Sequence, residues 1–352
     1  MRAVLRRLAP GTALRDALDR IRRSGTGGLV VLGDDPVVQA VCDGGVDLDV
    51  EFTPARLREL SKMDGAVVLS TDGSRITRAN VHLVPDPSLP AVETGTRHRA
   101  AERTAAHTGV PTVAVSASMT TVTVYAGGLA RVLADPVVLL ARADQTVATM
   151  ERHGAHAARA RARLDRAEMG DYASVRDVVA MSQRLLRLER LGAELAELTV
   201  EMGEYGRQTT LQLEELLSDT PDELRGLVAD HLRVEPVDGD ARPVPTAEQI
   251  DAGLERLAAL SDADLLLPAP VARCLGLPAE PEDLDEHVTA RGYRMLAHIP
   301  RLRPVQIMAL VERFGSVPAL LSAEQSDFAD VEGVGALWAR HVRQRLTGLG
   351  VV

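Results

Sequence analysis

Asp64-Gly65-Ala66-Val67-Val68-Leu69 decides how the first third of this chain is read. Four apolar residues in a row behind an Asp-Gly turn signal predict a short strand buried on both faces. The Asp64 carboxylate then stands where the strand leaves its turn. Downstream, Asp72-Gly73-Ser74 turns the chain, and Ile76 to Leu83 returns as a neighbouring strand. Upstream, Thr53-Pro54 starts a helix through Leu60, with proline at the first helical position. Thr12 to Arg23 carries Leu14, Leu18 and Ile21 at helical spacing and stops at Ser24-Gly25. Gly28 to Leu32 reads as a strand ending in the Gly33-Asp34-Asp35-Pro36 turn. No Gly-rich loop with its lysine follows the glycine pair near this turn, so the pair is read as structural. A helix near Arg97 to His107, closed by Thr108-Gly109, leads to strand Val113-Ala114-Val115 with Ser116 at its end. Thr121 to Tyr125 is a further strand and Gly127-Gly128 a turn. Strands interleaved with helices, two of the strands paired as a hairpin, predict an α/β domain with a mixed sheet.

A second stretch, Gly95-Thr96-Arg97-His98-Arg99, packs a glycine, a hydroxyl, two guanidiniums and an imidazole into five residues. Arg97 and Arg99 offer planar sets of donors suited to phosphate oxygens. His98 can donate, ligate metal or titrate near neutral pH. The helix start that follows also favours anions. Read alone, Asp-Gly before a strand is a turn, and Arg-His-Arg at a helix start is a solvated face. Read together, beside predicted strands, they point to a phosphate or nucleotide site, with a metal carboxylate at Asp64.

Composition fits without selecting a function. A chain of 352 residues is long enough for two or three domains. Its 45% hydrophobic content excludes a disordered tail protein, and with only 2% aromatics the cores must rest on Leu, Val and Ala. Lys62 is the only lysine. A formal net charge of -10 argues against a protein coated in nucleic acid but allows one local basic surface. Cys42 and Cys274 form neither a zinc signature nor a disulfide framework. No signal peptide and no run of 18 apolar residues is seen, so the expectation is a cytoplasmic protein without a membrane span.

From Ala130 to Asp230 the pattern is helical with few breakers, including Val175 to Val200 and Thr209 to Leu217. The arginine-rich Arg152 to Arg166 admits a phosphate-binding reading. A solvated helix face is preferred, because Asp165 and Glu168 sit beside it. Asp238-Gly239-Asp240 and Pro243-Val244-Pro245 mark a surface loop, and Thr246 with Gln249 forms a capping box. In the tail, Val331-Glu332-Gly333-Val334-Gly335 makes a tight hairpin between helices, with Trp338, Val342 and Leu346 on one face. Ile299-Pro300-Arg301-Leu302-Arg303-Pro304 occupies a comparable position without the paired glycines. Together they suggest a degenerate pair of helix–hairpin–helix units, whose backbone N–H groups can meet phosphates. Residues 291–352 carry a net charge of +3, leaving -13 for the rest. Local basic charge on an acidic protein suits DNA-backbone binding. A small helical bundle with a solvated basic face is the other reading.

Met63-Asp64-Gly65-Ala66-Val67-Val68-Leu69, Ala79-Asn80-Val81-His82-Leu83, Glu93 through Arg103 and Val115-Ser116 resemble the diadenylate cyclase domain of the DNA integrity scanning protein family. Leu211-Gln212-Leu213-Glu214-Glu215-Leu216 is similar to part of that family's central helical domain. The ending from Arg291-Gly292-Tyr293-Arg294 resembles its DNA-binding tail. The resemblance implies three domains: 1–145, diadenylate cyclase; 146–290, helical linker; 291–352, helix–hairpin–helix. It implies that two ATP are joined into cyclic di-AMP and two pyrophosphates, coupled to branched or junction DNA binding and DNA-integrity signalling. Asp64 would hold Mg²⁺ or Mn²⁺; Arg97, His98 and Arg99 would bind the triphosphate. Gly65 would allow close approach to nucleotide, Leu83 would pack near the base, and Thr96 and Ser116 would donate hydrogen bonds. Ala100 stands where the family usually has threonine, which removes a hydroxyl contact. Arg301, Arg303, Gly333, Gly335, Arg340, Arg343 and Arg345 are the DNA-binding candidates. Because two nucleotides must face each other, a homo-oligomer follows, and the family implies an octamer with facing cyclase domains. The alternative is a catalytically weak, nucleotide-sensing protein that binds DNA junctions.

Overall fold

The computed structural model describes residues 1–234 and 243–349, so the Asp238-Gly239-Asp240 loop reading lies outside the described residues. The chain divides into two compact units. One holds residues 1–145 and 195–211, the other 146–194 and 212–352.

The first unit is built on an eight-stranded sheet: β1 (Gly28–Val31), β2 (Cys42–Asp43), β3 (Val46–Glu51), β4 (Ala66–Leu69), β5 (Arg75–Leu83), β6 (Thr112–Val115), β7 (Val122–Ala126) and β8 (Leu129–Val132). The order is β2-β5-β4-β1-β6-β7-β8, with β3 also paired to β5. Only β1 and β4 are parallel, so the sheet is mixed as expected. Every residue of β1, β4, β6 and β7 is buried. Side chains alternate between two cores, as a pleated strand requires. Val30, Val67, Leu69, Val113 and Val115 pack with Leu14, Leu18, Ile21 and Leu57 of the helices Ala13–Ser24 and Pro54–Leu60. Leu29, Val31, Ala66, Val68 and Ala114 pack with Ala101 and Ala105 of the helix Thr96–Thr108. Each fully buried valine or leucine contributes about 1.5–3 kcal/mol. Thr12 and Thr53 cap their helices through side-chain oxygens, and Gly109 closes the third in the left-handed region at φ 71°.

Three strands were not expected. β2 and β3 are edge strands paired to β5, where Arg78 meets Asp47 at 2.9 Å and Arg75 meets Asp49 at 2.5 Å. β8 replaces the helix expected from Ala130. Gly127 and Gly128, at φ 57° and 74°, make a two-residue turn whose geometry returns the chain antiparallel to β7.

The second unit is helical. Its larger core gathers Leu164, Val178, Leu185, Leu227, Leu257 and Leu275, and Thr246 and Gln249 form the expected capping box. The boundaries of the two units fall inside the helices Pro136–Met169, Val175–Met202 and Arg207–Leu217.

A buried ion cluster sits where the chain enters its last segment. Arg294, 2% exposed, donates to Glu223 and Glu168 at 3.0 Å each and also to Asp165. His231 meets Glu168 at 2.8 Å. The Asp230 carboxylate accepts the backbone N–H groups of Gly292, Tyr293 and Arg294. Arg291 donates to the carbonyls of Ala229, Asp230, Leu232 and Pro243. Burial disfavours the Arg294 charge, but Glu168, Asp165 and Glu223 outweigh it and push its pKa up. Burial raises the carboxyl of Glu168, and His231 and Arg294 more than offset this, so its pKa is lowered. Arg291 and Arg294 are thus structural, and without them the tail's surface charge falls from +3 to +1.

Beyond the cluster stands a helix–hairpin–helix pair. Helices Tyr293–Ala297 and Pro304–Phe314 flank the first hairpin; helices Gln325–Ala329 and Gly335–Leu349 flank the second. Arg301 and Gly333 correspond, both at positive φ (65° and 81°). So do the buried Leu302 and Val334, and the outward Val305 and Leu337, which are 77% and 79% exposed. The buried Gln306 ties the two hairpins together: its amide donates to the Gly333 carbonyl at 2.8 Å and its oxygen accepts the Arg303 N–H at 3.1 Å.

Candidate functional site

Sheet register brings the scattered site residues of the first unit to one end of the sheet. Leu29 pairs with Ala66, so the starts of β1 and β4 lie side by side, with Gly65 and Asp64 just before β4. Val81 pairs with Ala66, which brings the end of β5, and Leu83, to the same edge. Gly28 pairs with Val115, so Ser116 emerges there as well.

Asp64 is exposed on the turn. Gly65 behind it is obligatory: a Cβ there would lie 2.6 Å from the carbonyl carbon of Asn80 and 2.9 Å from the Val81 nitrogen. The helix Thr96–Thr108 starts at Gly95, and no side chain caps it and no acid occupies its first turn. Its leading N–H groups are open to an acceptor.

Arg97 lies half-buried against Gly27. A Cβ on Gly27 would be 2.5 Å from Nη1 of Arg97 and 3.1 Å from the Val115 carbonyl oxygen. Gly27 also adopts a φ of 72°, which favours glycine. Among the described residues Arg97 has neither a hydrogen-bond nor an ion-pair partner. The pair Gly27-Gly28, read from sequence as structural, therefore also forms the bed of this guanidinium. A glycine pair directly before a buried strand was the available signal.

His98 is half-buried, its ring edge-on to Tyr125 at 6.4 Å, and its Nε2 is buried without a partner. Tyr125 donates to Glu93 at 2.8 Å, and burial together with Glu93 pushes its phenol far above the usual range. Arg99 is exposed and donates to the carbonyls of Glu93 and Thr94. Along the same helix, Glu102 accepts the N–H groups of Val92 and Glu93, and Arg103 donates to the Leu89 carbonyl. His107 accepts the N–H of Asp86. The helix thereby lays the incoming loop along its own side and fixes where Gly95 begins.

Ser116 is buried and its hydroxyl accepts the Met119 N–H at 3.1 Å. Leu83 is 7% exposed and packed in the core with Val81 and Ala101. Thr96 is exposed, and Ala100 packs against that same core. No group of three metal-ligating side chains occurs among the described residues. One exposed carboxylate suits a magnesium-like ion shared with substrate phosphates.

In the tail, Arg301, Arg303, Gly333, Gly335, Arg340 and Arg345 are exposed. Arg343 is half-buried and donates to the Leu321 carbonyl at 2.8 Å. No described helix is long and apolar enough to cross a membrane.

Comparison with known proteins agrees over nearly the whole length. The family described as DisA bacterial checkpoint controller nucleotide-binding matches residues 15–129, and the DisA linker region matches residues 133–284. The DNA integrity scanning protein DisA of Corynebacterium efficiens is 48% identical over 349 residues, spanning 99% of this chain and 96% of the relative. The protein of that name from Streptomyces avermitilis is 47% identical over 352 residues, spanning 99% and 91%. The sheet-end cradle, the helical middle and the hairpin pair thus stand in a chain that belongs to the DNA integrity scanning protein (DisA) family.

Proposed function

We propose that this chain joins two ATP molecules into cyclic di-AMP, releasing two pyrophosphates, and couples that reaction to binding branched DNA. Family membership supports diadenylate cyclase activity and DNA-integrity signalling. The observation that carries the site is Arg97, bedded on Gly27 without an ion-pair partner among the described residues, at the sheet end that also holds an uncapped helix start and Asp64.

Arg97 and the helix N–H groups hold the triphosphate and take up charge as pyrophosphate leaves. His98 offers its unpartnered Nε2 to a phosphate oxygen. Ser116 and Thr96 line the approach, Leu83 stands under the base, and Arg99 fixes the loop that places Gly95. Gly65 lets the nucleotide come close to the backbone. A divalent cation, Mg²⁺ or Mn²⁺, when bound at Asp64 would neutralise phosphate charge and assist ionisation of the 3′-hydroxyl. The O3′ of one nucleotide attacks the α-phosphorus of the other, the bond from phosphorus to the bridging oxygen breaks, and pyrophosphate departs. The second half repeats this and closes the ring. One chain supplies one such cradle, so two chains must face each other; the octamer of the resembling family satisfies this. The domain boundaries at 145/146 and 290/291 divide cyclase, linker and DNA-binding roles. The exposed arginines at 301, 303, 340 and 345 and the Gly333/Gly335 turn would meet DNA phosphates, Arg343 from its partly engaged position.

Purified protein with ATP and Mg²⁺ or Mn²⁺ should yield cyclic di-AMP by product mass. Asp64→Asn keeps the size and removes the charge, and should lower turnover by on the order of 100–1,000-fold while ATP still binds. Parent-rate cyclisation by Asp64→Asn would refute the assignment. ATP binding by the parent chain with no product would turn the reading to a nucleotide sensor.

A further inference from the structure

In the second unit a cleft of about 350 Å³ opens between two helices. Arg159 and Arg163 line it from Pro136–Met169, and Arg176 and Arg184 from Val175–Met202. His156, Ala160, Asp177 and Ala180 complete the lining. Positions 156, 159, 160 and 163 share one face of the first helix, as 176, 180 and 184 do of the second.

The charges here do not balance. Arg163 meets Asp177 at 2.8 Å, and Asp177 also accepts the Ser174 hydroxyl. Arg176 is paired with Asp285 at 2.8 Å. Among the described residues Arg159 reaches the Ala155 carbonyl and His156, and Arg184 the Ala180 carbonyl, and neither forms an ion pair. Among the described residues these two guanidiniums have no carboxylate partner, in a protein whose net charge is -10. Burial, then Arg187 and Arg163, lower the pKa of Arg184, as expected where positive charge is crowded. Asp165 and Glu168, the acids that made this stretch look like a neutralised, solvated face, are instead bound to Arg294.

We propose that this cleft binds a polyphosphate chain, either inorganic pyrophosphate or the phosphate tail of a nucleotide, through Arg159 and Arg184. Planar guanidiniums on opposed helices suit an anion with several charged oxygens. His156 is the one ring in the lining, and its Nδ1 lies 3.3 Å from Arg159, so the cleft offers chiefly cationic donors to an anion. Its volume lies at the small end of the range for ligand pockets and is too small for duplex DNA.

The test uses the full chain carrying Arg97→Ala, so that the sheet-end site does not mask the signal. Calorimetric titration with inorganic pyrophosphate should show saturable binding. Adding Arg159→Ala and Arg184→Ala should weaken it at least about tenfold, whereas Arg159→Lys with Arg184→Lys should retain more of it. An unchanged thermal unfolding midpoint would show that the alanine variant is folded. Titrations with ATP and AMP separate the sources. Tighter ATP than pyrophosphate, with the excess lost in the Arg159→Ala and Arg184→Ala variant, identifies a nucleotide tail, the reverse identifies the free anion, and AMP should bind weakest. Pyrophosphate binding that is indifferent to the alanine pair, or absent from the Arg97→Ala chain, overturns the proposal. Neither result bears on cyclisation at Asp64.

Discussion

Arg97 and Arg294 are the same side chain in opposite settings. Arg97 rests on a glycine backbone at the sheet end and, among the described residues, no carboxylate pairs with it. Arg294 is sealed among Glu168, Glu223 and Asp165 and has no surface left to offer. A guanidinium placed in a cradle without an acid has its donors reserved for an anion that comes and goes. A guanidinium saturated by acids locks helices together. Arginine content alone therefore says little about phosphate binding in this chain; what decides is whether the fold also brings carboxylates.

The strongest way to break this contrast is at Arg294. Arg294→Met removes the cation and leaves buried carboxylates facing one another, which should cost about 3–5 kcal/mol of stability. The deficit should depend on pH with a definite sign. Without the guanidinium the carboxyl pKa values rise, so the variant gains stability relative to the parent as pH falls. Urea unfolding at pH 5 and pH 8 measures this, and a deficit equal at both would contradict it. In the parent, the lowered pKa of Glu168 contributes stability above the ordinary glutamate value that is lost as pH falls through the lowered one. Burial raises Asp165, and burial with Glu168 raises Asp230, and these act the other way. Their contribution is present in acid and lost as pH rises through their raised values.

The next contrast is inside the site. Charge-assisted hydrogen bonds to phosphate are worth about 1.5–3 kcal/mol. Arg97→Ala should thus weaken ATP binding about 10–100-fold, and adenosine binding much less. Arg99 donates to two neutral carbonyls of the incoming loop. Arg99→Ala should weaken ATP less than Arg97→Ala does, and should weaken adenosine by a similar factor, because it loosens the loop rather than removing a phosphate partner. Isothermal titration of both variants with ATP and adenosine decides it. Equal selectivity for the triphosphate in the two variants would erase the distinction.

What could be read from sequence follows from the range of the interactions. Buried strands announced themselves as unbroken apolar runs such as Ala66 to Leu69, and Thr12, Thr53 and Thr246 cap helices with partners three residues away. Asp64 and Arg97 stood out by residue type, although their meeting at one sheet end depends on strand register. β2 is only two residues long, and β3 is an edge strand whose Asp47 and Asp49 pair with Arg78 and Arg75 of another strand, so neither shows an apolar run in the sequence. Arg291 and Arg294 were counted as basic surface because their partners lie 48 to 129 positions away in the chain. The bed of Arg97 at Gly27 was hidden for the same reason. Local patterns reveal a side chain's chemistry; only the fold reveals its neighbours.

The smallest effect belongs to the tail, where free and engaged arginines share one helix. Arg340 is exposed, whereas Arg343, one turn later, is held at the Leu321 carbonyl. Removing one cation that neutralises a DNA phosphate should lower the steepness of log affinity against log salt by about 0.9. Arg340→Ala should therefore flatten that slope by this amount, equally for a four-way junction and a linear duplex, because backbone binding carries no sequence information. Arg343→Ala should move the slope less and instead lower the unfolding midpoint, since it removes a bond between helices worth about 1 kcal/mol. Fluorescence anisotropy across a salt series, paired with thermal unfolding, measures both. Substitutions suit this test better than cutting the chain near Glu286, because removal of Arg291 and Arg294 would strip the buried carboxylates of their cations and unsettle the helices left behind. If Arg343→Ala flattened the salt dependence as much as Arg340→Ala with no change in stability, the division between engaged and available arginines would fail in this segment.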